Sequence, residues 1–137
     1  MTPMRHTVLA CAALGALAAC KPNEMPEANE GRRLFVENCA MCHGPDGTGN
    51  GPVARSLNPP PKDLTLIRAR HDDTFPRAKV LSILDGYTRV DLPGQNMPEF
   101  GDLLRGDLIP LDTGDGILTP TPRKLVALLE YLESIQK

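Results

Sequence analysis

"EGRRLFVENCAMCHGPDGTGNGP", residues 30–52, decides the fold. Gly31, Leu34, Phe35, Cys39 and Cys42 recur at helical spacing, with Arg32, Arg33 and Glu37 on the other side, and predict an amphipathic helix of about three turns. Gly44, Gly47, Gly49 and Gly51 then force a loop. The helix therefore ends by presenting two thiols, three residues apart, with His43 directly behind the second.

The chain before this segment reads as an address. "MTPMRH" supplies a positive Arg5, and the apolar run Thr7–Ala19 is shorter than the roughly 20 residues that a bilayer-spanning helix needs. The run ends in "LAAC", Leu17–Cys20, which resembles the lipobox of bacterial lipoproteins. The expectation is a lipoprotein signal peptide over residues 1–19, lipidation of Cys20, a tether over 20–29 and one domain over 30–137. Export to the periplasmic side of a bacterial envelope follows, and Lys21 in place of Asp after the cysteine leans toward the outer membrane. Of the 4 cysteines, Cys11 leaves with the signal and Cys20 carries lipid, so only Cys39 and Cys42 stay in the folded domain.

Composition narrows the class further. Pro (14) and Gly (12) are abundant and aromatics amount to 4%, so much of the chain is loop and the core gains from a bound apolar group. A formal net charge of −2 without a basic, aromatic-interleaved stripe excludes a nucleic-acid partner. Beyond the glycine loop and a proline-rich run from Leu57 to Thr65, a helix is predicted over Arg77–Asp85, with Val80, Leu81, Leu84 and Tyr87 inward and Gly86 as its cap. A final helix is predicted after Thr121 as N-cap and Pro122 in the first turn, with Leu125, Leu128, Leu129, Leu132 and Ile135 on one face. Between them, Asp107–Leu118 carries a hairpin signal at Asp115-Gly116.

Three chemistries use a Cys-x-x-Cys-His segment. A redox disulfide places its first cysteine at a helix N-terminus, where the dipole lowers the thiol pKa, whereas here the cysteines end a helix. A structural zinc site needs two more ligands, and His71 is the only other histidine outside the export signal. Covalent haem uses every residue: Cys39 and Cys42 form thioethers to the two vinyl groups of one porphyrin edge, and His43 is carried under the iron. The opposite iron position then falls to Met97, in the proline-stiffened "PGQNMPEF", or to His71, with Met25 in the tether and Met41 between the cysteines set aside. The glycine loop is no P-loop, since Gly-Lys-Ser/Thr is missing, nor an EF-hand, since Leu57 stands at its twelfth position.

Residues 29–136 resemble the class I c-type cytochromes, small bacterial lipoprotein members in particular. The resemblance rests on "CAMCHG", "GTGNGP", "PPPKDLT", "NMPEF" and "LVALLEYLESI". It implies an all-α fold of three to five helices around one covalent haem c, with long Gly/Pro-rich loops. It implies that Gly31 packs against Tyr131 beside Phe35, that the Pro52 carbonyl accepts the Nδ1 proton of His43, and that Lys62 and Arg68 or Arg70 meet the haem propionates. The segment "RGDLIPLDTGDGILTPTP" departs from the family, whose methionine loop usually runs almost directly into the last helix.

The expected function is one-electron transfer between membrane-bound or periplasmic redox proteins of a respiratory chain, by a lipid-anchored monomer that is not itself an enzyme. The alternatives are a peroxidase-like haem enzyme and a haem-based sensor or accessory subunit, both of which need an open or labile sixth iron position.

Overall fold

The computed structural model describes residues 24–87 and 97–137. The export signal, Cys20, and the part of the methionine loop that holds Pro93 lie outside the described residues. Helix α1 (Ala28–Asn38) and helix α5 (Arg123–Ser134) form the backbone of the fold, crossing where Gly31 meets Ala127 and Tyr131. Phe35 stacks obliquely on Tyr131 with ring centroids 5.1 Å apart, as the family resemblance implies. One face of α5 supplies the wholly buried Leu125, Leu128 and Leu129, and that burial, rather than helix propensity, holds the element in place.

The predicted helix over Arg77–Asp85 is present with the same bounds as α3, buries Val80 and Leu84, and ends at Gly86 with φ 99. Tyr87 is not inward but 83% exposed, because the left-handed cap at Gly86 turns the chain away before Tyr87 reaches the core side. Arg77 ties α3 to α5 by pairing with Glu130 and Glu133 of the latter. Since all three side chains are about a quarter to a third exposed, Arg77→Ala is expected to lower stability by about 1 kcal/mol, measured by urea denaturation.

Short turns complete the frame: α2 (Ala40–His43), α4 (Phe100–Leu103) and three single-turn 3₁₀ segments between Ala54 and Arg70. Asp63 caps the segment Leu64–Leu66, accepting from Thr65 N at 2.8 Å and Thr65 Oγ1 at 2.6 Å. The Thr65 hydroxyl leads in lowering the Asp63 pKa below the ordinary carboxylate value, against a smaller opposing effect of burial. The carboxylate therefore stabilises the fold above its unfolded pKa, and that contribution is lost as pH falls through the lowered folded pKa. Asp63→Ala is expected to cost about 1 kcal/mol at pH 7 and progressively less on acidification, read from thermal melts at a series of pH values.

The all-α expectation needs correction. Strands β1 (Leu108–Asp112) and β2 (Leu118–Pro122) pair antiparallel, with Pro110 opposite Pro120. The turn lies where Asp115-Gly116 predicts it, but β2 continues through "TPTP", where two prolines mask a strand that has only one pairing neighbour. Asp112 Oδ1 accepts from Gly114 N at 2.7 Å and Gly116 N at 3.0 Å, which fixes the turn. Ile109, Leu111 and Thr121 point into the core. Thr121 is thus a strand residue rather than the α5 N-cap, and the first α5 amide, Arg123 N, donates to Asp107 O at 2.8 Å. The structured unit also begins earlier than residue 30: Pro26 is buried, and α1 starts at Ala28.

Candidate haem attachment site

The cysteine pair does not sit on one continuous helix as its spacing predicts. Cys39 closes α1, with its amide donating to Phe35 O at 2.8 Å, and α2 restarts at Ala40. Cys42 N and His43 N both donate to Cys39 O, at 3.1 and 2.9 Å, so the chain tightens into one turn that carries both thiols and the imidazole. Both thiols are free, Cys39 buried and Cys42 partly so. Burial, helped by the neighbouring Cys42, pushes the Cys39 thiol up to about 12. Such a thiol is a poor thiolate, the reverse of what a catalytic dithiol requires.

The glycine loop is strapped back onto this turn. Gly49 N donates to His43 O at 2.8 Å, Gly51 N to Cys42 O at 3.1 Å and Val53 N to Met41 O at 3.2 Å. Any side chain at Gly51 would place its Cβ 2.4 Å from Met41 O, so the loop can lie this close only with glycine there. Beside the turn runs an open groove of ≈ 420 Å³, lined by residues including Gly51, Pro52, Arg55 and Pro60.

His43 Nδ1 lies 3.2 Å from Lys62 O, not from the Pro52 carbonyl. The loop folds so that the segment after the prolines, rather than Pro52, passes behind the imidazole, while Pro52 lines the groove. A carbonyl only accepts, so Nδ1 carries the proton and donates it to Lys62 O, leaving the Nε2 lone pair for a metal. Burial lowers the His43 pKa, partly offset by that hydrogen bond, and so favours the neutral ligating form. A backbone acceptor leaves no side-chain signature, which is why the sequence does not reveal Lys62 in this role.

Met97 is half-buried and packs against the same apolar core that contains Cys39 and Phe100. His71 is engaged at both ring nitrogens: Nδ1 donates to Ile67 O at 2.9 Å and Nε2 faces Lys79 Nζ at 3.1 Å. The guanidinium of Arg70 donates to Asp63 O at 2.8 Å. Among the described residues, no three His, Cys, Asp or Glu side chains are grouped to hold a metal ion.

Two free thiols on one turn and a neutral imidazole beside them with Nε2 unprotonated fit a covalently bound haem, and with it the class of c-type cytochromes. The chain belongs to the cytochrome c family: the family model for cytochrome c matches residues 28–136. Its cofactor is haem c with iron, and a haem electron carrier of class I type is what the family defines. A stretch of 35 residues is 43% identical to the cbb3-type cytochrome c oxidase subunit FixP of Azorhizobium caulinodans, covering 26% of this chain and 12% of that subunit. No solved structure matches the chain.

Proposed function

We propose that this protein is a lipid-anchored, periplasm-facing monohaem cytochrome that passes single electrons between redox proteins of a respiratory chain. The observation that carries the reading is the Cys39–His43 turn, with both thiols free and the His43 Nδ1 proton held by Lys62 O. Cys39 and Cys42 would hold the porphyrin covalently, and His43 and Met97 would ligate its iron. When bound, haem c supplies one-electron redox chemistry at its iron. Imidazole with thioether ligation raises the potential relative to bis-histidine ligation and suits a donor to an oxidase or reductase. The short match to an oxidase subunit, FixP, supports a partner of that kind.

Residues 1–19 serve as the export signal and Cys20 carries the lipid, with the outer membrane favoured. Among the described residues no helix is long and apolar enough to cross a membrane. Redox titration of the purified holoprotein tests the electron-carrier reading: a single one-electron Nernst wave is expected, and a haem that does not cycle reversibly would contradict it. Mass spectrometry of the mature protein tests the envelope reading: the N-terminus is expected at a diacylglyceryl Cys20, and an unmodified Cys20 inside a longer chain would contradict it.

A further inference from the structure

The hairpin that sets this chain apart has an inner and an outer face. Ile109, Leu111 and Thr121 are buried, whereas Leu108, Pro110 and Pro120 face solvent, with Leu108 57% exposed and Leu118 and Ile117 at the turn end 65% and 63% exposed. The cross-strand register places Pro110 directly opposite Pro120 and Leu108 opposite Pro122, so these side chains share one surface. A single exposed leucine is ordinary, but a contiguous apolar face marks a contact.

The path of the N-terminal segment says what covers it. Glu24 O accepts from Arg123 Nη1 at 2.5 Å, Arg123 Nη2 donates to Glu30 Oε2 at 3.0 Å, and Arg123 N donates to Asp107 O at 2.8 Å. One arginine thereby binds the N-terminal segment, the start of α1 and the base of the hairpin together. Cys20 precedes Glu24 by four residue steps, a reach of at most about 14 Å. A lipid on Cys20 would therefore keep Glu24, and the hairpin base joined to it through Arg123, close to the bilayer surface. The haem-attaching turn lies at the other end of α1, whose 11 residues extend about 16 Å at about 1.5 Å each. The C-terminal end of α5 is at that far end too, where Ile135 Cδ1 lies 3.1 Å from the position of a Gly47 Cβ.

We propose that the outer face of the β1–β2 hairpin rests on the lipid surface and holds the cytochrome with its Cys39–His43 turn directed away from the membrane. The proposal rests on lipidation of Cys20. Asp112 and Asp115, whose carboxylates are engaged by backbone amides of the turn, stay at the level of the polar headgroups, so the contact is interfacial rather than inserted.

The chain contains no tryptophan, so Leu118→Trp and Ser56→Trp each provide a unique fluorophore, one on the hairpin and one at the exposed end of the 3₁₀ segment Ala54–Ser56 beyond the haem-attaching turn. The lipidated full-length holoproteins are reconstituted into phosphatidylethanolamine–phosphatidylglycerol vesicles with and without acyl-chain bromination, and the emission ratio of each variant is read together with its emission lifetime, so that the share of decay taken by haem is measured in each. Bromination is expected to lower the Leu118→Trp emission at least twofold and leave the Ser56→Trp emission unchanged. Equal or absent quenching in the two variants on vesicle-bound protein overturns the hairpin contact while the anchor stands. Cosedimentation of Cys20→Ser with vesicles as complete as the parent's overturns the anchor reading, and the proposal with it.

Discussion

Replacing Gly31 by alanine is expected to lower stability by about 3 kcal/mol or more and the melting temperature by on the order of 10–20 °C. A Cβ at this position would lie 1.8 Å from Ala127 O and 2.7 Å from Tyr131 Cβ. Neither neighbour is the free end of a flexible side chain, so relief requires α1 and α5 to move apart. Helix propensity opposes this cost, since alanine in a helix interior is better than glycine by about 1 kcal/mol. The clash is larger, and it falls at the crossing that also seats Phe35 on Tyr131. Thermal unfolding of the holoprotein, followed by far-ultraviolet circular dichroism, reads the effect, and an unchanged or raised melting temperature would mean that the helices do not meet this closely.

The second large effect is expected at the cysteines. In the parent, haem should remain with the polypeptide through denaturing electrophoresis. Cys39→Ala should leave a single thioether, and Cys39→Ala combined with Cys42→Ala should release all haem under the same conditions. The loss extends to the fold. Cys39 belongs to the apolar core with Phe35 and Ile67, and a chain with so few aromatics depends on the bound porphyrin for buried surface. The double variant should accumulate as a chain far less resistant to proteolysis than the parent, as limited digestion would measure. Haem that still migrates with the doubly substituted chain would contradict covalent attachment through this turn.

How much of this was legible in the sequence depends on which physical signal each element carries. The leucine stripe of α5 and the run at Arg77–Asp85 are periodic, and the structure places both helices where that periodicity does. Cys39, Cys42 and His43 stand together in the sequence, and the structure keeps all three on one turn. The carbonyl that positions His43 is not, because a backbone oxygen has no residue identity; the family pattern pointed to Pro52, and the strapped loop brings Lys62 instead. Strand β2 was hidden by its own prolines, which are tolerated there because the strand has one neighbour and an open edge. Tyr87 follows the periodicity of α3 in sequence but lies past a left-handed glycine, where periodicity no longer specifies direction. Arg123 carried no signal at all, although it joins three segments that are distant in sequence.

In the proposed function His43 and Met97 would both hold the iron and leave no position open to substrate. The direct test is the optical spectrum of the purified holoprotein, oxidised and reduced, with and without carbon monoxide, beside Met97→Ala. A low-spin spectrum indifferent to carbon monoxide, becoming responsive only in Met97→Ala, is the predicted result. Ready carbon monoxide binding by the parent would contradict it, and would make an open-site enzyme or sensor the better description of this cytochrome.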